Sequence, residues 1–465
     1  MTAATAPPRA GRAEITRLLS VILLSRLVIN TAFRMSYAFV PEFSRGLGID
    51  LQAMGALISA RSVAGLLAPV FGSLSDRVGR RPVMVGALVL LIVCATLAYL
   101  SVSFLFFAVG FVGLGLAKVI FEPSGSAFLG DRVPYARRGL VLGLSELGWA
   151  GGGLIGVPIA ARAIVLWGWQ SPYALIALGG VLSLAWAAIA LPRTDSVVRA
   201  RAEDPSSTVP RHGTPEASRA PAEDLSSSTP RRGTRGPRPL SSALKASRAP
   251  AEGPLTSILR HGTPKVSRAR PVDTRQAFAA VARHRSAVVM LIVAAFFLVG
   301  GELIAVAYAS WLTQVFQLDV IALGGIVATF ALADVCGEVL SMFAVDRFGK
   351  KRSLLAGFAI TTLFYFALPL LGASLPVAVA ALFLYYVCFE FTIVSVFPLV
   401  SELAPEARGT MLSLTSLAAS LGRTVGGLGG ATLFLLGGFG ANGVAAGLAV
   451  GAATVLLAAG VRERA

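Results

Sequence analysis

Runs of roughly 20 apolar residues, the length of helix that crosses a bilayer core, recur about twelve times along this chain. They fall near 18–41, 52–74, 83–101, 104–127, 140–163 and 171–191, then 287–312, 321–345, 353–371, 376–401, 410–434 and 437–461. The chain is 55% hydrophobic and only 14% charged, where a soluble domain carries about 25% charge. The pattern predicts an all-α membrane protein that crosses the bilayer many times. Arg26 and Arg34 interrupt the first run, which is too long and too charged for a cleavable signal and reads as helix one.

The formal net charge of +17 raises nucleic acid as a partner. The positions of the bases argue against it, since they sit in short segments between apolar runs and not on one basic face with interleaved aromatics. Of the 41 Lys and Arg, about 34 lie in the termini and alternate loops and about five within helices, leaving Arg45 and Arg162 for the opposite side. With twelve crossings, that bias places both termini and the 72–82 loop in the cytoplasm and the protein in the inner (plasma) membrane. Cys94, Cys336 and Cys388 lie inside apolar runs, without paired or metal-binding spacing, and read as packing residues.

Residues 192–286 are rich in Pro, Ser, Arg and Ala and contain near-copies of their own, such as His212-Gly-Thr-Pro and His261-Gly-Thr-Pro. Such a stretch buries too little apolar surface to offset its ordering entropy, so it is expected to be a disordered cytoplasmic linker. Its arginines could also rest on anionic headgroups.

A charged knot stands between the second and third runs: Gly72-Ser-Leu-Ser-Asp76-Arg77-Val-Gly79-Arg80-Arg81-Pro82. It recurs as Asp346-Arg347-Phe-Gly349-Lys350-Lys351-Arg352, with Met342 in the place of Gly72. Spacing and composition resemble the signature loop of the major facilitator superfamily. Asp131-Arg-Val-Pro134-Tyr-Ala136-Arg137-Arg138-Gly139 is echoed by Glu402-Leu-Ala-Pro405-Glu-Ala407-Arg408-Gly409, and Gly55 is matched with Gly325. The resemblance implies two pseudo-symmetric six-helix bundles, 18–191 and 287–461, with tails 1–17 and 462–465 and substrate held between the bundles at the midplane. In that family the loop latches one end state of alternating access. Here Asp76 is expected to accept from Arg80 and from the N-terminus of helix eleven near Gly409, with Gly72 allowing close helix approach and Gly79 the tight turn. Arg77 and Arg81 would hold the loop inside, and the second copy would act likewise.

An ionisable residue at membrane depth costs about 2.5–3.5 kcal/mol on insertion scales and is a functional candidate by default. Arg26, Asn30 and Arg34 stand at intervals of four on helix one, with Tyr37 continuing the line, so one polar face is expected to meet a central cavity. Arg26 could instead snorkel to the inner surface. Lys118 and Glu122 lie one turn apart on helix four and can neutralise each other. Glu146 precedes Gly148, Gly151, Gly152, Gly153, Gly156 and Pro158, an arrangement that loosely resembles the glycine-rich fifth helix of drug–proton antiporters. The second half offers Glu302, Asp334, Glu338 and Glu390, and then Arg423 with Ser416 and Ser420 near its face. Asp334 and Glu338, one turn apart, would repel as two anions, which raises the pKa of one towards neutrality, as a proton carrier needs.

Together these features predict a proton-coupled secondary transporter exporting small amphipathic organic compounds. The rivals are a carrier of an organic anion or zwitterion and a non-transporting sensor or scaffold of the same fold. All three histidines lie in or beside the 192–286 stretch, so proton coupling would run through carboxylates, with sodium as the other ion they suit. There is no Gly-x-x-x-x-Gly-Lys-Ser/Thr loop, His-Glu-x-x-His or Gly-x-Ser-x-Gly motif. The expectation is a monomeric carrier in the bilayer, with no enzymatic activity, cofactor, metal or nucleic acid.

Overall fold

The computed structural model describes residues 12–133, 135–192 and 274–461, and these are almost entirely helical. The first half comprises α1 (Arg12–Ala38), α2 (51–78), α3 (Arg80–Tyr99), α4 (Phe104–Arg132), α5 (135–167) and α6 (Ser171–Ala190). The second comprises α7 (Arg285–Phe316), α8 (Val320–Phe348), α9 (Lys350–Ala367), α10 (Leu375–Leu403) and the helical stretch Arg408–Gly460. At 1.5 Å per residue those last 53 residues would reach about 80 Å, far beyond a bilayer core of about 30 Å. The chain turns back at Gly437 and Gly438, and Gly438 takes φ 62° and ψ −166°, so the segment is two crossings, α11 (408–436) and α12 (439–460).

The two halves start and stop their helices with the same chemistry. Asp50 accepts a 2.7 Å hydrogen bond from the Ala53 N–H at the head of α2, and Asp319 does the same for Ala322 at the head of α8. Gly79 (φ 108°) separates α2 from α3 and Gly349 (φ 88°) separates α8 from α9. This is a conformation that L side chains rarely adopt, so the tight turn expected at Gly79 is built twice. α5 carries a π-helical stretch, Gly152–Gly156, inside its glycine run. There Gly152 lies against the Asn30–Thr31 backbone and Gly156 against Thr31, so the glycines bring α5 onto α1.

Between the halves, α2 meets α11 and α5 meets α8 through small residues. A Cβ at Gly55 would lie 2.6 Å from Ala431 Cβ and 2.9 Å from Gly427 O, and one at Gly324 would lie 2.7 Å from Ala161 Cβ. The close contact in the second half is therefore made by Gly324, while a Cβ at Gly325 would meet nothing within 4 Å. That corrects the pairing of Gly55 with Gly325 by one residue. A Cβ at Gly72 or Gly409 would also meet nothing within 4 Å, so the close approach expected at Gly72 is absent from this arrangement. The seams are tight at the end remote from the 72–82 loop and open at the loop end.

Three further expectations are revised. Thr274–Arg283 is a helix inside the stretch read as disordered, and it places Val281 in the buried core. Residues 193–273 of that stretch lie outside the described residues, as do tail residues 1–11 and 462–465. α1 begins at Arg12, within the expected tail, and α4 and α5 run about a turn beyond their expected ends because polar residues continue them past the apolar core.

Candidate functional site

The halves enclose a cavity of ≈ 100 Å³. α1 contributes Phe33, Arg34 and Tyr37, and α5 contributes Trp149. The remaining wall comes from the second half, with Glu302 and Tyr308 on α7, Phe330 and Asp334 on α8, Tyr385, Tyr386, Phe389 and Glu390 on α10, and Arg423 on α11. Small residues set how closely this wall can approach. Gly153 of α5 lies beside both Arg34 and Ala331 of α8, and Gly426 of α11 lies beside Glu302.

Polar links cross from one half to the other. The Arg34 guanidinium pairs with the Asp334 carboxylate, both buried. The Tyr37 hydroxyl donates to Glu302 Oε1 at 2.7 Å. Arg34 also lies 4.1 Å from the centre of the Trp149 ring, so its charge is held by a carboxylate and an aromatic face together. Of the two neighbouring carboxylates Asp334 and Glu338, Asp334 has an arginine to pair with. Glu338 lies outside the cavity wall, and its carboxylate makes no hydrogen bond or ion pair among the described residues.

The polar face expected on helix one divides between two jobs. Arg34 and Tyr37 reach the cavity, but Asn30 and Arg26 are engaged inside the first bundle. Asn30 Oδ1 accepts from Lys118, and Lys118 bonds Glu122 at 2.5 Å, so Glu122 is a member of an internal ion pair. Arg26 is buried and does not snorkel, donating to Ser145 Oγ at 2.9 Å and Glu146 Oε1 at 2.7 Å. Glu122 and Glu146 therefore do not line the cavity. Of the polar residues named on helix eleven, only Arg423 does, since Ser416 is exposed and bonds Leu412 O, and Ser420 faces Gly65 of α2.

At the loop end, Arg80 Nε donates to Asp131 Oδ2 at 3.0 Å. The repeat reproduces the link, with Lys350 bonded to Glu402. In each half the first base after the turn glycine thus reaches the acid at the end of the fourth helix of its own bundle. Lys351 Nζ donates to Ala458 O at 3.1 Å, and Asp346, Arg347 and Arg77 are exposed. Arg81 is half-buried. The side chain of Asp76 lies outside the described residues, as do those of Arg138 and Glu406.

Arg61 on α2 did not figure among the expected site residues. It is 3% exposed, bonds Ser36 Oγ, and lies 4.1 Å from the Phe33 ring and 5.0 Å from those of Tyr37 and Phe111. The rule that singled out Arg34, a charge inside an apolar run, applies to it equally. The aromatic wall of Trp149, Tyr308, Tyr385, Tyr386 and Phe389 had no such signal, because a ring in an apolar run reads the same whether it faces cavity, neighbour or lipid.

The family model of the Major Facilitator Superfamily matches residues 22–299 and 290–465. Among curated proteins, the chain is 28% identical over 177 residues to the multi-drug resistance efflux pump PmrA of Streptococcus pneumoniae, a stretch covering 36% of this chain and 42% of that one. It is 32% identical over 152 residues to the 4-hydroxybenzoate transporter PcaK of Pseudomonas putida, covering 31% and 32%. The chain thus spans less than half the length of these curated relatives. Among solved structures, the D-xylose–proton symporter superposes with a TM-score of 0.70 at 14% identity, over 97% of this chain and 98% of that one.

Proposed function

The chain belongs to the Major Facilitator Superfamily, and from that premise we propose that it is a proton-coupled exporter of small amphipathic organic compounds working by alternating access. The observation that carries this reading is the cavity between the halves, walled by aromatic rings and bridged by the Arg34–Asp334 pair. Rings offer an apolar surface to an amphipathic body, and the carboxylates offer places for a cation or a proton. The efflux pump PmrA among the relatives supports export.

The cavity is small. Pockets for drug-sized ligands measure about 300–1,000 Å³, against ≈ 100 Å³ here, so a larger substrate requires the halves to part. The open loop end supplies that route, and the lysines and arginines gathered there support a cytoplasmic side for it and for both termini. Glu390 faces the cavity without a hydrogen-bond partner among the described residues and is the proposed proton carrier.

Flux in proteoliposomes tests the proposal. An imposed pH gradient should drive ethidium, a fluorescent amphipathic cation, against its own gradient, a protonophore should stop it, and Glu390→Gln should abolish the response to pH. A sodium gradient that drives the same flux at constant pH would replace the proton as coupling ion. Ethidium movement indifferent to every ion gradient would overturn coupled export.

A further inference from the structure

Two charged groups of the cavity wall are left over once the others have been paired. Arg34, Asp334 and Glu302 are each held by a hydrogen bond that crosses between the halves. Arg423 and Glu390 make no hydrogen bond or ion pair with any described residue, and they do not bond each other although both line the same cavity. Arg423 lies 5.9 Å from the Phe33 ring and is near enough to Glu302 and Glu390 for their charges to act on it, but it is hydrogen-bonded to neither. Glu390 sits on the part of α10 that packs closely on α8, where a Cβ at Gly337 would lie 2.9 Å from Glu390 Cβ. Its carboxylate is thus carried on a stretch fixed by its neighbour.

A guanidinium and a carboxylate that face one cavity without hydrogen-bond partners are costly to keep in a membrane protein unless something satisfies them. An anion would satisfy Arg423 and be repelled by Glu390, and a cation would do the reverse. A ligand carrying both charges satisfies both. The wall of the cavity they share is aromatic, with Phe330 and Tyr386 stacked at 4.6 Å between ring centres and Tyr308 edge-on to Phe330 at 5.7 Å. An engineered cavity of about 150 Å³ holds one benzene ring, so at ≈ 100 Å³ the ligand body is at most a single ring, and the wall must give to admit it.

We propose that the cavity takes a compact zwitterion with a flat apolar body, Arg423 donating to its carboxylate and Glu390 accepting from its ammonium group. The fate of that ligand, carriage across the membrane, rests on the exporter reading. The binding site itself does not.

The probes are 4-(aminomethyl)benzoate and two analogues of nearly the same shape, 4-methylbenzoate with the acid alone and 4-methylbenzylamine with the amine alone. Affinities are measured calorimetrically on the purified full chain in detergent. The zwitterion should bind at least tenfold more tightly than either analogue. Glu390→Gln should erase its advantage over 4-methylbenzoate, and Arg423→Gln its advantage over 4-methylbenzylamine. The wild-type series needs no variant to fold and decides alone: equal affinities for the three probes, or no binding of the zwitterion, would overturn the proposal. So would a preference that survives both substitutions. Proton-driven ethidium flux without this selectivity removes the zwitterion site and leaves the exporter reading standing, whereas the selectivity without any flux does the opposite.

Discussion

Gly55→Val should drive the protein out of the arrangement described here, and Gly72→Val should not. The Cβ alone at position 55 would lie 2.6 Å from Ala431 Cβ and 2.9 Å from Gly427 O, whereas nonbonded carbons rest at about 3.5–4.0 Å. α2 and α11 would therefore have to separate by about 1 Å before the valine methyls are counted. Overfilling a fitted seam costs about 1–3 kcal/mol, and about 1.4 kcal/mol is tenfold in a population. The seam-closed population should fall by one to two powers of ten. The helix-propensity change on replacing glycine acts alike in both arrangements and drops out of the ratio. Gly72 lies about 25 Å further along the same helix, where a Cβ meets nothing within 4 Å. A valine there is free of cost now and obstructs only an arrangement in which the loop end closes.

Distances between paired spin labels read this out in lipid nanodiscs, in a background where Cys94, Cys336 and Cys388 are replaced. One pair on Gln52 and Leu436 reports the closed seam, and a pair on Val78 and Leu412 reports the open end; all four positions are exposed. Gly55→Val should lengthen the first distance and shorten the second, while Gly72→Val should leave both as in the wild type or sharpen them. Unchanged distributions for Gly55→Val, or the same shift from both variants, would refute the account of two halves rocking about a shared cavity.

Two further outcomes are expected. Arg34→Gln and Asp334→Asn should each lower thermal stability by an amount corresponding to about 3–5 kcal/mol, because each strands a buried charge. The double variant should cost clearly less than the sum, and strict additivity in a thermal-shift cycle would mean that the two side chains do not meet. Asp76→Ala should remove most transport while leaving membrane insertion and expression intact; wild-type flux by that variant at equal expression would contradict the latch role proposed for the loop.

How much of this was legible in the sequence depends on whether the physics was local. Helix number and the repeat followed from apolar run length and from the charged knot with its turn glycine, Gly79, features that act on their immediate neighbours. Charges inside apolar runs could be flagged because burying them is costly wherever they lie, and of the ten residues expected along the substrate or proton path six, Arg34, Tyr37, Glu302, Asp334, Glu390 and Arg423, line the cavity. Their partners were not legible. Arg34 and Asp334 are 300 residues apart, and helical spacing suggested Glu338 as the neighbour of Asp334. Asn30 shared a helical face with Arg34, yet the rotation of α1 against α4 gives it to Lys118. Packing between helices decides such partnerships, and a single sequence carries no spacing rule for it.

The charges inside the membrane-spanning helices are divided unequally between the halves, and this bears on how the halves stay together. α1, α2, α4 and α5 carry Arg26, Arg34, Arg61 and Lys118 against Glu122 and Glu146, while α7, α8, α10 and α11 carry Glu302, Asp334, Glu338 and Glu390 against Arg423. Glu122 and Glu146 are engaged by Lys118 and Arg26 within their own bundle, so the first half faces the second as a cation and meets it as an anion. Helices in lipid gain little from apolar contact alone, since lipid tails are as apolar as leucine. The seams therefore rely on small-residue packing and on links such as Arg34–Asp334 and Tyr37–Glu302. The packing strength is fixed by the sequence, but the electrostatic part changes whenever a charge enters the cavity. On the proposed transport reading, a proton or a charged substrate arriving at the carboxylates of the second half alters the attraction between the halves directly, and no separate relay from the site to the seams is required.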